Sequence, residues 1–316
     1  METRLFGRSD FHLSCVGFGG GPLGWLATPD AAEVARSTLE AAWSAGVRYF
    51  DTAPYYGHGD SERRLGSFLR DRPRADFVLS SKVGRLIRPK SAGDRSPEAV
   101  VFDYGREGAR RSIGESLDRL RLDRIDIALI HDIDGWTHGA EQPRRFAEAL
   151  DGAYRALSDL KAEGAIRAIG LGVNEWRVCR DFAERVPVDG FLLAGRVSLL
   201  EHEAEETFLP FCAERGIGLI IGGPYNSGIL ATGAIDGARY NYAPADEAVR
   251  ARVRRLEAIC ASRSVSLAAA ALAYPLRQPA VSAVIPGLAS TAEVAALRES
   301  LARPIPDDLW AALRAA

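Results

Sequence analysis

Eight short runs rich in Val, Ile, Leu and Phe recur along the chain and are separated by segments with a different pattern. They occupy residues 13–19, 47–52, 77–84, 125–131, 165–173, 188–194, 216–223 and 281–287. Runs of this length that are apolar almost throughout are typical of strands covered on both faces, as in a parallel sheet. The pattern therefore predicts eight buried parallel strands.

The segments between these runs carry apolar residues at helical spacing. In the clearest, one face holds Ala35, Leu39, Ala42 and Trp43, with Thr28-Pro29 as the predicted cap and first turn and Gly46 as the stop. Further helices are predicted over 60–72, 107–120, 151–163, 176–186, 202–215, 246–263 and 291–301. Equal numbers of alternating strands and helices favour a closed (β/α)8 TIM barrel over an open doubly wound sheet. We predict one such domain over residues 1–316.

Two predicted connections, 84–105 and 132–149, are longer than a plain strand-to-helix loop. Long loops in compact domains are more often functional than idle. Both follow strands, so in a barrel they would lie at the C-terminal ends of the strands, where active sites are built.

Charge changes this picture little, because 40 Lys and Arg residues nearly balance 42 Asp and Glu residues. A formal net charge of -2 supplies no electrostatic reason to bind nucleic acid or an anionic membrane. We therefore expect a small-molecule partner, and the sequence leaves the oligomeric state open.

The four cysteines, Cys15, Cys179, Cys212 and Cys260, are far apart and none belongs to a CxxC pair. This spacing indicates neither a zinc site nor a disulfide framework, as expected of reduced thiols in the cytoplasm. The N-terminal residues show no export signal, and no run approaches the ~18 apolar residues of a membrane span.

Polar residues close three consecutive predicted strands: Asp51, Lys82 and His131. A single polar side chain at a strand end is usually structural, but three in succession, with Tyr55 and Tyr56 nearby, indicate a site. Lys82 and Asp51 can form a partly buried ion pair, and the ammonium would lower a tyrosine pKa from about 10. Such a tyrosine can exchange protons with an alcohol or carbonyl, whereas the electrons require a carrier such as nicotinamide.

Five segments resemble the aldo-keto reductases: FDTAPYYGHGDSERRLG (50–66), LSSKVG (79–84), LDRIDIALIHD (122–132), AIGLGVNEW (168–176) and VIPGLASTAEV (284–294). The resemblance spans essentially the whole chain. It implies a (β/α)8 barrel that binds NAD(P) without a Gly-rich Rossmann loop. The glycines of VGFGGGPLG (16–24), including Gly20, then let the backbone approach a ligand.

Carried over residue by residue, the resemblance makes Tyr56 the proton donor and acceptor. Lys82 would lower the pKa of Tyr56, Asp51 would hold Lys82, and His131 would orient the carbonyl. Tyr55 is the rival for the tyrosine role, but the spacing from Asp51 selects Tyr56.

The resemblance also indicates cofactor residues. Asn174 matches an asparagine that binds the nicotinamide carboxamide. The loop 222–233 matches the place of the diphosphate and implicates Asn226, Ser227, Gly228 and Leu230, although the same residues are typical of an ordinary turn. Gly222 and Ala194 depart from the family pattern, since many members have an aromatic residue and a glutamine there.

Cofactor preference depends on residues 286–293, where many NADP-preferring members carry cations. This chain has Gly287 and Glu293 there, and a carboxylate would repel the 2'-phosphate, which favours NAD over NADP. Ser290-x-x-Glu293 is also a capping box, which requires no ligand.

Within the family, VFDYGREG, IHDIDGWTHG and NEW resemble the bacterial group of aldose 1-, fucose and pyridoxal 4-dehydrogenases. The resemblance implies oxidation of a cyclic hemiacetal to a lactone. The predicted pocket residues are Trp25, Tyr55, His58, Trp136 and His138, each also compatible with loop packing. The alternatives are an NADPH-dependent aldehyde or ketone reductase and a non-catalytic, cofactor-sensing regulatory protein.

Overall fold

The structure is a computed structural model that describes residues 1–89, 91, 96 and 99–315. Its strands are β1 (Thr3–Leu5), β2 (His12–Ser14), β3 (Phe18–Gly19), β4 (Tyr49–Asp51), β5 (Val78–Val83), β6 (Arg85–Ile87), β7 (Val100–Phe102), β8 (Ile127–His131), β9 (Ala168–Val173), β10 (Gly190–Ala194), β11 (Gly218–Gly222), β12 (Arg239–Tyr240), β13 (Ala243–Pro244) and β14 (Val281–Ile285).

Its α-helices are α1 (Gly21–Gly24), α2 (Ala31–Ser44), α3 (Asp60–Leu69), α4 (Arg106–Leu120), α5 (Gly135–His138), α6 (Gln142–Glu148), α7 (Tyr154–Ala162), α8 (Trp176–Ala183), α9 (Glu203–Arg215), α10 (Ile229–Thr232), α11 (Glu247–Ala261), α12 (Leu267–Ala273), α13 (Thr291–Ala302) and α14 (Asp307–Arg314). None of the helices in the described part of the chain has the length and apolar character that a membrane crossing requires.

Eight strands form one parallel sheet in the order β3-β4-β5-β8-β9-β10-β11-β14. The two edges of this sheet meet, because parallel bridges pair Val16 with Val284 and Gly19 with Gly287. The Gly17 amide also donates to the Val284 carbonyl at 2.9 Å. The sheet therefore closes into a cylinder with helices around it, and the predicted (β/α)8 TIM barrel is confirmed.

The strands are apolar almost throughout because each one faces two separate cores. In β8, Ile127 and Leu129 belong to the cluster that fills the barrel. The alternate residues Ala128 and Ile130 belong to the cluster between the sheet and the helices. Side chains of a strand alternate between its faces, so burial on both faces produces the continuous runs seen in the sequence.

The first predicted strand, 13–19, is wrong as a single element. Its first residues pair in an antiparallel hairpin of β1 with β2, and the barrel strand begins only after Ser14. The Ser14 hydroxyl accepts from the amides of Arg48 and Tyr49 at 3.1 Å each, in place of a backbone carbonyl. This hairpin carries the fully buried Phe6, which packs on the first residue of β10, Gly190, and so covers the N-terminal end of the barrel.

Several helices also differ from the prediction. The helix predicted to start at Thr28-Pro29 begins at Ala31, after Asp30 as N-cap, whereas Gly46 (φ +91°) ends it as expected. Helices α12 and α14 were not predicted; α12 is almost entirely buried, so it shows no polar face. The connection 84–105 contains the β6–β7 hairpin, with part of it outside the described residues, and 132–149 contains α5 and α6.

Two glycines, one in α3 and one in α4, provide a matched test of the packing between these two helices. A Cβ on Gly66 in α3 would lie 2.0 Å from the Leu120 carbonyl oxygen, whereas a Cβ on Gly114 in α4 would meet nothing within 4 Å. We expect Gly66→Ala to reduce the free energy of unfolding by about 1–3 kcal/mol through overpacking. Gly114→Ala should raise it by about 0.5–1 kcal/mol because alanine favours the helix. Urea unfolding midpoints measure both; shifts of the same sign would contradict the α3–α4 contact.

Candidate active site

A cavity of about 670 Å³ opens at the C-terminal ends of the barrel strands. Its lining includes all four residues to which the sequence assigned catalysis, Asp51, Tyr56, Lys82 and His131. Three of them come from the ends of the neighbouring strands β4, β5 and β8, and Tyr56 comes from the loop after β4. The barrel thus brings together side chains that are up to 80 residues apart in sequence.

The ion pair of Lys82 with Asp51 is buried at the base of this cavity. The Lys82 Nζ donates to Asp51 Oδ2 at 2.7 Å and to the Thr52 carbonyl at 2.9 Å, and the two charged residues are 1% and 2% exposed. Burial alone would lower the pKa of Lys82, but the charge of Asp51, together with Tyr56 beside it, outweighs this effect and raises that pKa. Lys82 is therefore held as a cation.

Ser80 completes the surroundings of Asp51, and sequence reasoning missed it. Asp51 pairs with Ser80 in the register of β4 and β5, and Ser80 and Lys82 lie on the same face of β5. The Ser80 hydroxyl donates to Asp51 Oδ1 at 2.6 Å. Since that hydroxyl has one proton, the buried Tyr49 hydroxyl, 2.9 Å away, must be the donor to Ser80. Burial raises the pKa of Asp51, and Lys82 and Ser80 oppose this.

Tyr56 lies beside Lys82, with the Lys82 Nζ 4.7 Å from its ring centroid. Burial raises the pKa of Tyr56 to about 12, while Lys82 acts in the opposite direction. Lys82 does lower the pKa of Tyr56, as expected, but the expected net decrease of that pKa is wrong. Removing the phenolate from water raises the pKa by more than Lys82 lowers it. Tyr56 is thus protonated at neutral pH.

His131 stands perpendicular to Tyr56, with ring centroids 6.0 Å apart. Burial, followed by the charges of Arg85 and Lys82, holds its pKa well below the usual value, so the imidazole is neutral. Its Nδ1 is buried with no hydrogen-bond partner in the structure. A neutral imidazole can orient a substrate oxygen without adding charge to the cavity.

A second ion pair, Arg85 with Asp132, also lines the cavity. Arg85 Nη1 lies 2.5 Å from Asp132 Oδ2, which in turn lies 3.4 Å from His131 Nε2. Burial raises the pKa of Asp132 to about 6, although Arg85 opposes the shift. Sequence reasoning missed this pair, although Asp132 directly follows His131 and Arg85 follows β5 by two residues.

Aromatic side chains form the mouth of the cavity. Trp25 and Trp136 are 50% and 53% exposed and line it together with Tyr55, whose ring lies under the Arg85 guanidinium. Two predicted pocket residues lie elsewhere. His58 is buried behind Trp25, and His138 packs on Phe102 and bonds to Tyr104, so neither lines the cavity.

A second cavity of about 400 Å³ adjoins the first. The two share the lining residues Pro22, Ala194, Gly223, Tyr242 and Gly287. Asn226, Ser227 and Gly228 line the second cavity and Asn174 lines the first, so the groove brings these predicted cofactor residues together.

Tyr242, which was not predicted, connects two of these residues. Its hydroxyl donates to Asn174 Oδ1 at 3.1 Å, and its amide donates to Ser227 Oγ at 2.9 Å. It belongs to the turn between β12 and β13, far from both partners in sequence, so no sequence pattern indicates the contact.

Three other predicted cofactor residues do not line either cavity. Gly20 donates its amide to the Asp51 carbonyl, and a Cβ there would collide with that oxygen at 2.6 Å. Leu230 is fully buried in a hydrophobic cluster. Ser290 accepts from the Glu293 amide and so caps α13, while the Glu293 carboxylate accepts at 2.6 Å from the amide of Ala289, the residue before the cap.

The aldo/keto reductase family is matched over residues 15–316, so the chain belongs to that family and is an oxidoreductase. The resemblance inferred from the sequence is thereby confirmed. Members of the family use NAD(P)(H).

Two curated relatives are similar over nearly the whole chain. The pyridoxal 4-dehydrogenase of Microbacterium luteolum is 40% identical, with 99% of this chain and 96% of the relative covered. The D-threo-aldose 1-dehydrogenase of a Pseudomonas species is 37% identical, with 95% and 93% covered. Among solved structures, an aldo-keto reductase of Bacillus halodurans in its holo form superposes with a TM-score of 0.77 at 25% identity, covering 99% of this chain and 95% of that one.

The buried ion pair predicts how Lys82→Met changes stability. The variant leaves the Asp51 carboxylate without its counter-ion, which should reduce the free energy of unfolding by about 3–5 kcal/mol at pH 7. Stability should recover as the pH falls, because a carboxyl with a raised pKa in the folded state favours folding when it is protonated. The double variant Lys82→Met/Asp51→Asn should be more stable than the single variant at pH 7. Urea unfolding at pH 5 and pH 7 measures this, and a double variant no better than the single one would contradict the pairing.

Proposed function

We propose that this chain oxidises a cyclic hemiacetal to a lactone with a nicotinamide cofactor, using Tyr56 as the general base. The observation that carries the proposal is the position of Lys82, whose ammonium is bonded to Asp51 and lies beside Tyr56 within one cavity. Similarity to a pyridoxal dehydrogenase and an aldose dehydrogenase supports this reaction class. Pyridoxal and aldoses both form cyclic hemiacetals.

The two adjoining cavities fit an extended dinucleotide. Gly222 and Ala194 leave the wall of the first cavity free of bulky side chains, so a flat ring can lie there. Arg239 is the one charged residue that lines the second cavity in the described part of the chain, and its cation suits a diphosphate. Asn174, Asn226, Ser227 and the backbone at Gly228 and Gly287 would hold the cofactor, which would supply the hydride acceptor. Leu230 and Gly20 would act only through the backbone around them, whereas Glu293 would act through its carboxylate.

The protein's own part in the reaction is proton transfer and orientation. Tyr56, as phenolate, takes the proton of the hemiacetal hydroxyl as the carbonyl of the lactone forms. Lys82 stabilises that phenolate, and Asp51 keeps Lys82 charged and in place. His131, neutral and buried, hydrogen-bonds the same substrate oxygen. In the opposite direction Tyr56 donates the proton to a carbonyl, which would serve a reductase.

The proposal also keeps three expectations from the sequence, which concern the choice of cofactor, the contacts to the substrate ring, and a single-domain protein in the cytoplasm. The exposed carboxylate of Glu293 and the absence of a side chain at Gly287 support NAD rather than NADP. The rings of Trp25, Tyr55 and Trp136 suit the apolar face of a sugar or a pyridine ring. All four cysteines are free and buried, which supports a cytoplasmic location, and the closed sheet supports a single domain over residues 1–316.

The pKa of Tyr56 predicts opposite pH dependences for the two directions. Oxidation needs the phenolate, whose fraction rises about tenfold per pH unit below the pKa of about 12, so kcat for oxidation should rise from pH 7 to pH 10. Reduction uses the protonated form and should vary little over that range. Tyr56→Phe should reduce kcat in both directions by on the order of 10² or more. Tyr55→Phe is the matched control, and a greater loss of kcat in that variant would assign the proton transfer to Tyr55.

A substrate panel tests the proposed function as a whole. L-Fucose, D-arabinose, L-galactose, pyridoxal and simple aldehydes are each assayed with NAD+ and NADP+ or their reduced forms, and fluorescence titration compares NADH with NADPH. We expect lactone formation with NAD+ and tighter binding of NADH. Turnover of simple aldehydes alone with NADPH would support the reductase instead. Cofactor binding without any turnover would favour the regulatory protein.

A further inference from the structure

The proposed proton transfer makes no use of the ion pair between Arg85 and Asp132, although both residues line the same cavity. Their side chains are 15% and 11% exposed, and the pair lies beside His131 through the 3.4 Å approach of Asp132 Oδ2 to its Nε2. A substrate oxygen held by Tyr56 and His131 would therefore have this pair as its neighbour.

Stability alone gives a poor account of the pair. Removing two charges from water is expensive, and a well-packed apolar pair is often at least as stable as a buried ion pair. Asp132 also adopts a left-handed backbone conformation (φ +50°), which is uncommon for a residue with a side chain. Residues kept in strained and desolvated positions within a cavity are candidates for binding a ligand.

The pair also has hydrogen-bonding capacity left over. Arg85 Nε is buried without a partner in the structure, and the central carbon of the guanidinium lies over the Tyr55 ring, 3.5 Å from its centroid. Stacking of this kind leaves the N–H edges of the guanidinium available. Asp132 presents a carboxylate acceptor beside those donors.

We propose that Arg85 and Asp132 bind the hydroxyl group on the carbon next to the reacting hemiacetal carbon, and thereby select aldoses. This inference rests on the proposed function. An alcohol both accepts and donates a hydrogen bond, so it can accept from Arg85 and donate to Asp132 at the same time. Pyridoxal has no hydroxyl on that carbon, and its phenolate, one carbon further away, can only accept. A 2-deoxy sugar leaves both charged groups unsatisfied.

The net charge of the cavity agrees with a neutral ligand. Arg85 and Asp132 cancel each other, as do Lys82 and Asp51, and His131 is neutral. With its pKa near 6, Asp132 is ionised at neutral pH and accepts a hydrogen bond. Hydrogen bonds to charged groups are the stronger ones, so loss of the hydroxyl should be strongly penalised.

The test compares each aldose with its 2-deoxy analogue: D-arabinose with 2-deoxy-D-ribose, and L-fucose with 2-deoxy-L-fucose. For the parent protein with saturating NAD+ we expect kcat/KM to favour the hydroxylated sugar at least about tenfold. Arg85→Met and Asp132→Asn should each reduce that ratio to below about threefold, mainly by lowering kcat/KM for the hydroxylated sugar. If either single variant fails to fold, Arg85→Met/Asp132→Leu, which leaves no unpaired charge, replaces it.

Arg88→Met is the matched control. Arg88 directly follows the β6 strand that carries Arg85, pairs with Glu115 at 3.1 Å, and does not line the cavity. It should leave the hydroxyl ratio unchanged. If the Arg85 and Asp132 variants lose kcat/KM equally on a sugar and on its 2-deoxy analogue, the ion pair only positions the chain around the cavity. That result would overturn the proposal.

The remaining outcomes separate this inference from the proposed function. A ratio near one in the parent protein, or a ratio that survives in both variants, overturns the role of the ion pair while hemiacetal oxidation stands. Oxidation of pyridoxal with no oxidation of any sugar would also overturn the role of the ion pair and leave hemiacetal oxidation standing. No oxidation of sugars or pyridoxal with either cofactor would overturn both.

Discussion

The candidate site depends on keeping one ammonium charged where water does not reach it. Lys82 is almost fully buried, and its charge persists because Asp51 and Tyr56 outweigh the cost of desolvation. The register of β4 and β5 sets this arrangement, because Ser80 and Lys82 point the same way and bind the two carboxylate oxygens of Asp51 separately. A shift of one residue in that register would turn both side chains away from Asp51 and into the packing against the helices.

Most of the barrel could be predicted from sequence because burial on both faces leaves an unmistakable apolar run. The exceptions have local causes. The run 13–19 mixes two structures because the Ser14 side chain substitutes for backbone hydrogen bonds where one strand gives way to the next. Helix α12 was missed because it is an Ala- and Leu-rich segment that is buried almost throughout. Such a segment has no polar face, so its sequence lacks the alternation of apolar and polar residues that marks a helix.

The sequence indicated the residues of the candidate site that stand at strand ends, but not those that come from two distant segments meeting in the fold. Strand ends identify Asp51, Lys82 and His131, and the chain brings all three to one cavity. Ser80 contributes through register, and Tyr242 reaches Asn174 and Ser227 from a hairpin that has no marker in the sequence. The direction of the Tyr56 pKa also required the structure, because a spacing of residues does not indicate how much water a hydroxyl loses.

The bridge between Gly19 and Gly287, which joins the first and last strands of the barrel, has both of its residues in the wall of the large cavity. A ligand that contacts both of these glycines would bridge the seam and oppose its opening. Binding that favours the closed form adds to global stability by mass action. The lifetime of this protein against proteases in a cell would thus follow the supply of its small-molecule ligands, so that an idle enzyme is also the more readily degraded one.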